Sequence, residues 1–127
     1  MSDVAAAAIL AHLKHWPEAA SDYRIQRQRI AAIAEDAGYR VFARPAAEGV
    51  IGFVPLQAPR PVDLPTTRAS RLPLAKYYPP LAERPRAQLF FAHMVCVAAH
   101  PGMAEFGDNE IREELSLLIS RQEERAS

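Results

Sequence analysis

The chain has 127 residues, half of them apolar, which is enough for one compact domain that buries roughly two-thirds of its unfolded surface. Its charges balance, although residues 1–87 carry twelve basic and eight acidic side chains and residues 88–127 carry three and seven. A single cysteine, Cys96, excludes an intramolecular disulfide and favours a reducing compartment, so we expect a cytoplasmic protein. No apolar run approaches the ~20 residues that cross a bilayer, so we expect no membrane segment.

The first part of the chain, residues 1–54, predicts two helices followed by a β-hairpin. A first helix ends before Pro17. A second helix covers Asp22–Ala37 and stops at Gly38, because glycine readily takes the left-handed conformation that ends helices. The pattern then alternates in "YRVFARP" and "VIGFVPL", with Gly49 in the connection, which is typical of two paired strands.

The rest of the chain divides into a proline-rich arm and a pair of helices. Residues 55–85 contain eight of the eleven prolines, a density that predicts an extended arm without a regular helix or a central strand. Residues 86–127 predict a buried helix over Arg86–His100 and a final helix that opens at Gly107. The final helix has an apolar stripe of Ile111, Leu115, Leu118 and Ile119, opposed by Glu113, Glu114, Arg121 and Glu124.

These elements together predict a small single domain of the α+β class. The helix over Arg86–His100 is apolar around most of its circumference, which is more surface than one neighbouring helix can cover in so small a chain. We therefore expect a homodimer that pairs through the C-terminal helices.

The stretch "FAHMVCVAAHPG" is where soft ligand chemistry gathers in the sequence. On a helix, His93, Cys96 and His100 share one face, where two imidazoles and a thiolate would suit a transition metal or a Cys-His nucleophile. No second cysteine completes a familiar zinc pattern, and Arg86 extends the same face. We therefore interpret Arg86, His93 and His100 as the solvent-facing seam of a buried helix, and we expect Cys96 to behave as a small buried hydrophobic residue. Metal binding is kept as a low-ranking alternative, and no cofactor is assigned.

An Arg- and Gln-rich helix lies directly before the predicted hairpin. Arg and Gln side chains make bidentate contacts with guanine and adenine edges, and the early turns of a helix are where such contacts form in the major groove. The predicted nucleic-acid-binding residues are Arg24, Gln26, Arg27, Gln28 and Arg29 on the helix, with Arg40 and Arg44 of the hairpin on phosphates.

The segment "SDYRIQRQRIAAIAEDAGYRVFARPAAEGVIGFVPL" resembles the recognition helix and wing of winged helix-turn-helix proteins. This resemblance implies a small bacterial-type regulatory protein that binds duplex DNA. A different class of function is also open, a non-enzymatic adaptor that engages a protein partner through the proline-rich arm and the acidic C-terminal helix. Because neither a Gly-rich phosphate loop nor a "GxSxG" or "HExxH" motif occurs, we do not expect an enzyme.

Overall fold

The computed structural model describes residues 3–42, 52–77 and 79–126, with side chains through residue 120. The described residues form helices and an antiparallel sheet, which confirms the predicted α+β class. In chain order, the elements are α1 (Asp3–Lys14), α2 (Trp16–Asp36), β1 (Arg40–Val41), β2 (Phe53–Gln57), α3 (Leu64–Arg68), β3 (Leu74–Ala75), α4 (Pro85–His93), β4 (Met94–Ala98), a 3-10 helix (Pro101–Glu105) and α5 (Asp108–Ala126).

The sheet has the strand order β1-β2-β4-β3, and each neighbouring pair is antiparallel. On its inner face, Val54 and Leu56 of β2 lie opposite Val97 and Val95 of β4, and all four side chains are buried. Side chains alternate along a strand, so Phe53 points to the outer face. Two helices, α2 and α5, complete the core with Ile30, Ile33, Ile111, Leu115 and Leu118.

The second helix starts earlier than the sequence pattern predicts. It begins at Trp16, because Pro17 occupies the first turn, where a missing N–H and a fixed φ are tolerated. The prediction that this helix starts at Asp22 was therefore wrong. Its predicted end is confirmed, since α2 stops at Asp36 and Gly38 has a φ of +88°.

The predicted hairpin segments do pair. Strands β1 and β2 are antiparallel, with Val41 opposite Leu56, and the connection that contains Gly49 lies outside the described residues. The pairing is part of a larger sheet, since β2 also pairs with β4 along its whole length. The hairpin is thus built into the body of the domain.

Most of the predicted proline-rich arm belongs to the folded body, so that prediction was wrong for most of residues 55–85. This region contains the end of β2, helix α3 and strand β3. Three of its side chains, Leu56, Val62 and Leu72, are buried in the core. Some of its prolines lie where the backbone does not need their missing N–H, as does Pro65 in the first turn of α3.

Pro55 shows how a central strand accepts a proline. The Phe42 N–H donates to the Pro55 carbonyl at 2.9 Å, so Pro55 faces β1, and it has no N–H with which to return the bond. Strand β1 ends at Val41, just before this point. The missing donor therefore falls where the edge strand stops, and the pairing of β2 with β4 continues.

The predicted helix over Arg86–His100 was wrong in its second half. Helix α4 ends at His93, and the next five residues form β4. The run Val95–Val97 is buried, and a short continuous apolar run of this kind fits a buried strand as well as a buried helix. The apolar circumference that led us to expect a homodimer through the C-terminal helices therefore does not exist.

Candidate functional site

The predicted Arg and Gln cluster lies in the middle of α2 and not at its N-terminus. Because α2 begins at Trp16, residues 24–29 occupy its third and fourth turns. Gln26 is buried and Gln28 is exposed, whereas the three arginines, Arg24, Arg27 and Arg29, are half-buried. The cluster is therefore divided between the interior and the surface of the domain.

Arg29 connects α2 to the segment that leads into α5. Its Nε donates to Asp108 Oδ1 at 2.6 Å, and its Nη1 and Nη2 donate to the main-chain carbonyls of Met103 and Phe106 at 3.0 and 2.5 Å. Gln26 Oε1 accepts a further bond from Arg29 Nη1 at 3.0 Å. The Arg29 guanidinium group thus donates to one carbonyl of the 3-10 helix and to the carbonyl of the residue that follows it, which is a structural role.

The two predicted phosphate-binding residues of the hairpin have different outcomes. Arg40 is exposed on β1, on the same outer face as Phe42, because the two residues are two positions apart in an extended chain. Arg44 lies outside the described residues. Of the predicted DNA-contacting residues that the structure describes, Gln28 and Arg40 are exposed, which is fewer than the sequence predicted. Binding of duplex DNA stays a prediction.

The arrangement of helices and strands around the Arg and Gln cluster also differs from the one expected for a winged helix-turn-helix protein. Helices α1 and α2 are joined through the single residue His15, and β2 lies between β1 and β4. The strand that would form a wing is therefore an inner strand of the sheet. The resemblance covers the order of the helix and the strands, but it does not extend to their packing.

The candidate metal ligands lie in three different parts of the fold. His93 ends α4, Cys96 is in the middle of β4, and His100 directly precedes the 3-10 helix. The His93 ring nitrogen Nδ1 lies 2.9 Å from the Ala58 carbonyl oxygen. The prediction of one shared helical face was wrong, because the helix on which it depended stops at His93. Among the described residues, no group of three or more His, Cys, Asp or Glu side chains could hold a metal ion.

Cys96 is a buried thiol beside a partly buried lysine. Burial raises the pKa of Cys96 to about 11, with a smaller opposing effect from the charge of Lys76. At neutral pH the sulfur is therefore protonated and is a poor nucleophile. This agrees with the expectation that Cys96 behaves as a small hydrophobic residue.

Lys76 fastens the outer side of the sheet to the end of α4. Its Nζ donates to the carbonyls of Val62 and Ala92 at 2.6 and 2.9 Å, and it lies 4.8 Å from the centroid of the Phe91 ring. Burial lowers the pKa of Lys76 to about 8. A cation that donates a hydrogen bond to a carbonyl in the last turn of a helix stabilises that helix, so the contacts of Lys76 indicate a structural role.

Glu114 is a buried carboxylate that the sequence pattern placed on the exposed face of α5, so that prediction was wrong. It accepts hydrogen bonds from Ser70 Oγ at 2.8 Å, from Arg71 N at 3.1 Å and from Arg71 Nε at 2.9 Å. Burial alone would raise the pKa of Glu114, but these hydrogen bonds hold it below its ordinary value. The spacing along α5 indicates this burial, since Glu114 lies three residues after Ile111 and four before Leu118, and both of those residues are buried.

The acidic face of α5 is accordingly smaller than expected. Glu114 is inside, and Glu110 Oε1 lies 3.4 Å from Arg71 Nη2, whereas Glu113 is exposed. A shallow depression of about 540 Å³ on this face is lined by Arg112, Glu113, Ser116, Leu117 and Ser120. Arg112 and Glu113 give its walls both signs of charge.

Leu81 and Val4, the two most exposed large apolar side chains in the described part of the chain, lie in two different segments. One is α1, in which no residue is buried. The other is the segment of residues 79–85, here named the proline segment, where the Leu81 side chain is entirely exposed. Both depart from the usual burial of large apolar residues, which makes them the candidate contact surfaces of this domain.

Comparison with protein-family models found no match, and comparison with curated proteins found none either. Within the described residues, no helix combines the length and the apolar character needed to span a membrane.

Proposed function

We propose that this protein is a non-enzymatic adaptor that binds a partner protein through the proline segment. The observation that supports this most directly is the exposure of Leu81, at 105% of its reference surface, between Pro79 and Pro80 on one side and Pro85 on the other. A leucine with no packing inside its own domain gains stabilisation only when a partner covers it.

The contrast with the rest of residues 55–85 supports the proposal. The prolines at 55 and 65 have places in a strand and in a helix turn, and the chain around them contributes buried side chains to the core. Residues 79–84, by contrast, are in neither a helix nor a strand. Folding thus accounts for Pro55 and Pro65, whereas no described part of the domain covers Leu81 between the later prolines.

The proline segment is suited to recognition in an extended conformation. Proline fixes φ near −65° and holds the preceding residue extended, so the chain loses little conformational entropy when it is bound. Extended proline-rich segments bind in grooves lined by aromatic side chains, with an apolar residue between the prolines filling a pocket. A partner with such a groove is the class of protein that we infer.

The neighbouring surface extends the contact. Helix α4 begins at Pro85, the last residue of the proline segment, and its Leu89 side chain is 63% exposed. Glu83 and Arg84 are also exposed and provide a polar rim of both signs. An apolar centre with a polar rim is the usual composition of a protein interface.

The experiment is site-specific photocrosslinking from the proline segment. A photoreactive amino acid replaces Leu81 in the full chain, expressed in the source cells, and a matched variant carries it at Leu117, an exposed leucine of α5. We expect a discrete protein adduct from position 81 and none from position 117. A synthetic peptide of residues 79–89 should suppress the adduct, and the same peptide with Leu81→Ser should not.

Two results would overturn the proposal. One is the absence of an adduct at position 81, and the other is an adduct that the peptide does not suppress. Retention of a fluorescent DNA duplex by the wild-type chain, lost in an Arg40→Ala and Gln28→Ala double variant but kept in Leu81→Ser, would instead assign the function to DNA binding.

A further inference from the structure

We infer that α1 is a self-association element that pairs antiparallel with α1 of a second copy of this chain. This inference is independent of the proline segment. It starts from the exposure of α1, in which Val4, Ile9, Leu10 and Leu13 are between 48% and 80% exposed. A helix of twelve residues is marginal in water by itself, so a packing partner would supply most of its stability.

Three of the four large apolar residues of α1 lie on one side of the helix, and Val4 lies on the opposite side. At about 100° per residue, Ile9, Leu13 and Leu10 fall within an arc of about 100°, and Ala6 lies inside the same arc. A small residue within an apolar arc lets two helices approach closely. The arc is therefore a helix-packing face that the described part of the domain leaves largely open.

The charges beside this face determine the partner. Asp3 and Lys14 are eleven residues apart, close to three turns of about 3.6 residues each, so they lie on the same flank at opposite ends of α1. Leu10 lies between them on that flank. In an antiparallel pair of identical helices the same flanks meet, so Asp3 of each copy lies level with Lys14 of the other.

In a parallel pair the opposite flanks meet, so neither Asp3 nor Lys14 of one copy lies against Asp3 or Lys14 of the other, and the pair gains no attraction from these charges. The antiparallel pair also opposes the two helix dipoles favourably. The face of α1 is thus complementary to itself in one orientation. This argues for a second copy of the chain as the occupant.

The expected dimer is weak. Two helices about 18 Å long and about 10 Å wide bury less than the roughly 800 Å² per partner of a standard interface. Self-association should accordingly depend on concentration. It is measured by sedimentation equilibrium of the full chain from about 10 µM to several hundred µM, a range in which weak interfaces of this size are populated.

Charge reversal tests the orientation as well as the pairing. Asp3→Lys and Lys14→Asp each replace two attractive contacts per dimer by two repulsive ones, so each variant should self-associate roughly tenfold more weakly than wild type. An equimolar mixture of the two variants restores both contacts and should recover association close to wild type. Asp22→Lys, the same change at an exposed position of α2, should leave the dimer unchanged.

The mixture makes the test independent of helix stability, since each variant has the same α1 sequence alone and in the mixture. A wild-type chain that stays monomeric at several hundred micromolar overturns the inference. Single variants that associate as well as wild type show that Asp3 does not meet Lys14 of the partner copy, and they overturn the proposed orientation. Loss of association in both variants without recovery in the mixture also contradicts the pairing of Asp3 with Lys14.

Discussion

Replacing Arg29 by alanine should destabilise the fold, because Arg29 fills a structural role that sequence reasoning assigned to DNA contact. The change removes the Arg29 hydrogen bonds to two carbonyls, those of Met103 and Phe106. The Met103 carbonyl still accepts from the Phe106 N–H at 3.2 Å. Hydrogen bonds from a charged group contribute about 1.5 kcal/mol each at the low end, so the loss is about 3 kcal/mol. The Asp108 contact adds at most about 1 kcal/mol, because that carboxylate is 62% exposed.

The assay is urea unfolding followed by far-UV circular dichroism. Fluorescence of the single tryptophan would report poorly, since Trp16 is 49% exposed and lies outside the core. A loss of about 3 kcal/mol corresponds to a fall in Tm of about 10 °C for a domain of this size. Gln28→Ala, an exposed change on the same helix, serves as the control and should stay within about 0.5 kcal/mol of wild type.

Equal stability of the Arg29→Ala and Gln28→Ala variants would refute the structural role of Arg29. If Arg29→Ala also lost affinity for duplex DNA while it remained as stable as wild type, base or phosphate contact would be the better explanation. The two variants therefore separate packing from recognition at adjacent positions of α2.

Three further outcomes follow from the contacts described above. Cys96→Ala should lower the free energy of unfolding by about 1 kcal/mol. In the wild type, thiol reagents should react slowly with Cys96 at neutral pH. The stability of the wild type should fall as pH rises from 9, the ordinary pKa of a thiol, toward about 11, the raised pKa of Cys96. Glu114→Gln should lower stability at pH 7, and in urea titrations it should reduce the loss of stability in acid. Because the pKa of Glu114 is lowered in the folded state, the carboxylate stabilises the fold above pH 4.5, its ordinary pKa, and this stabilisation is lost as pH falls below that value. Asp63→Ala should cost about 1 kcal/mol in thermal unfolding through loss of the α3 cap, in which Asp63 accepts from Thr66 N at 2.7 Å.

Local signals in the sequence were sufficient where one residue type determines the backbone. Gly38 ended α2 as predicted, with a positive φ. Ile111, Leu115 and Leu118 of the final helix are buried as predicted, because their spacing matches the helical period. The antiparallel pairing of the two hairpin segments also followed from their alternation.

Three of the failures share a physical cause, since each depended on contacts between distant parts of the chain. The Val95–Val97 run became a strand because β2 and β3 pair with it on both sides, which its own pattern does not reveal. Arg29 donates to the carbonyls of residues more than seventy positions away. Glu114 is buried because Ser70 and Arg71 compensate its charge. Local patterns report the period of an element, but they do not report its neighbours.

The salt dependence of crosslinking from position 81 tests the adaptor proposal most directly. An apolar side chain that fills a groove is little affected by ionic strength, whereas phosphate binding loses orders of magnitude in affinity between about 50 and about 200 mM salt. We expect the adduct yield from position 81 to change less than about twofold over that range. A yield that collapses as salt rises, in parallel with retention of a DNA duplex, would contradict the proposal that the proline segment binds a protein.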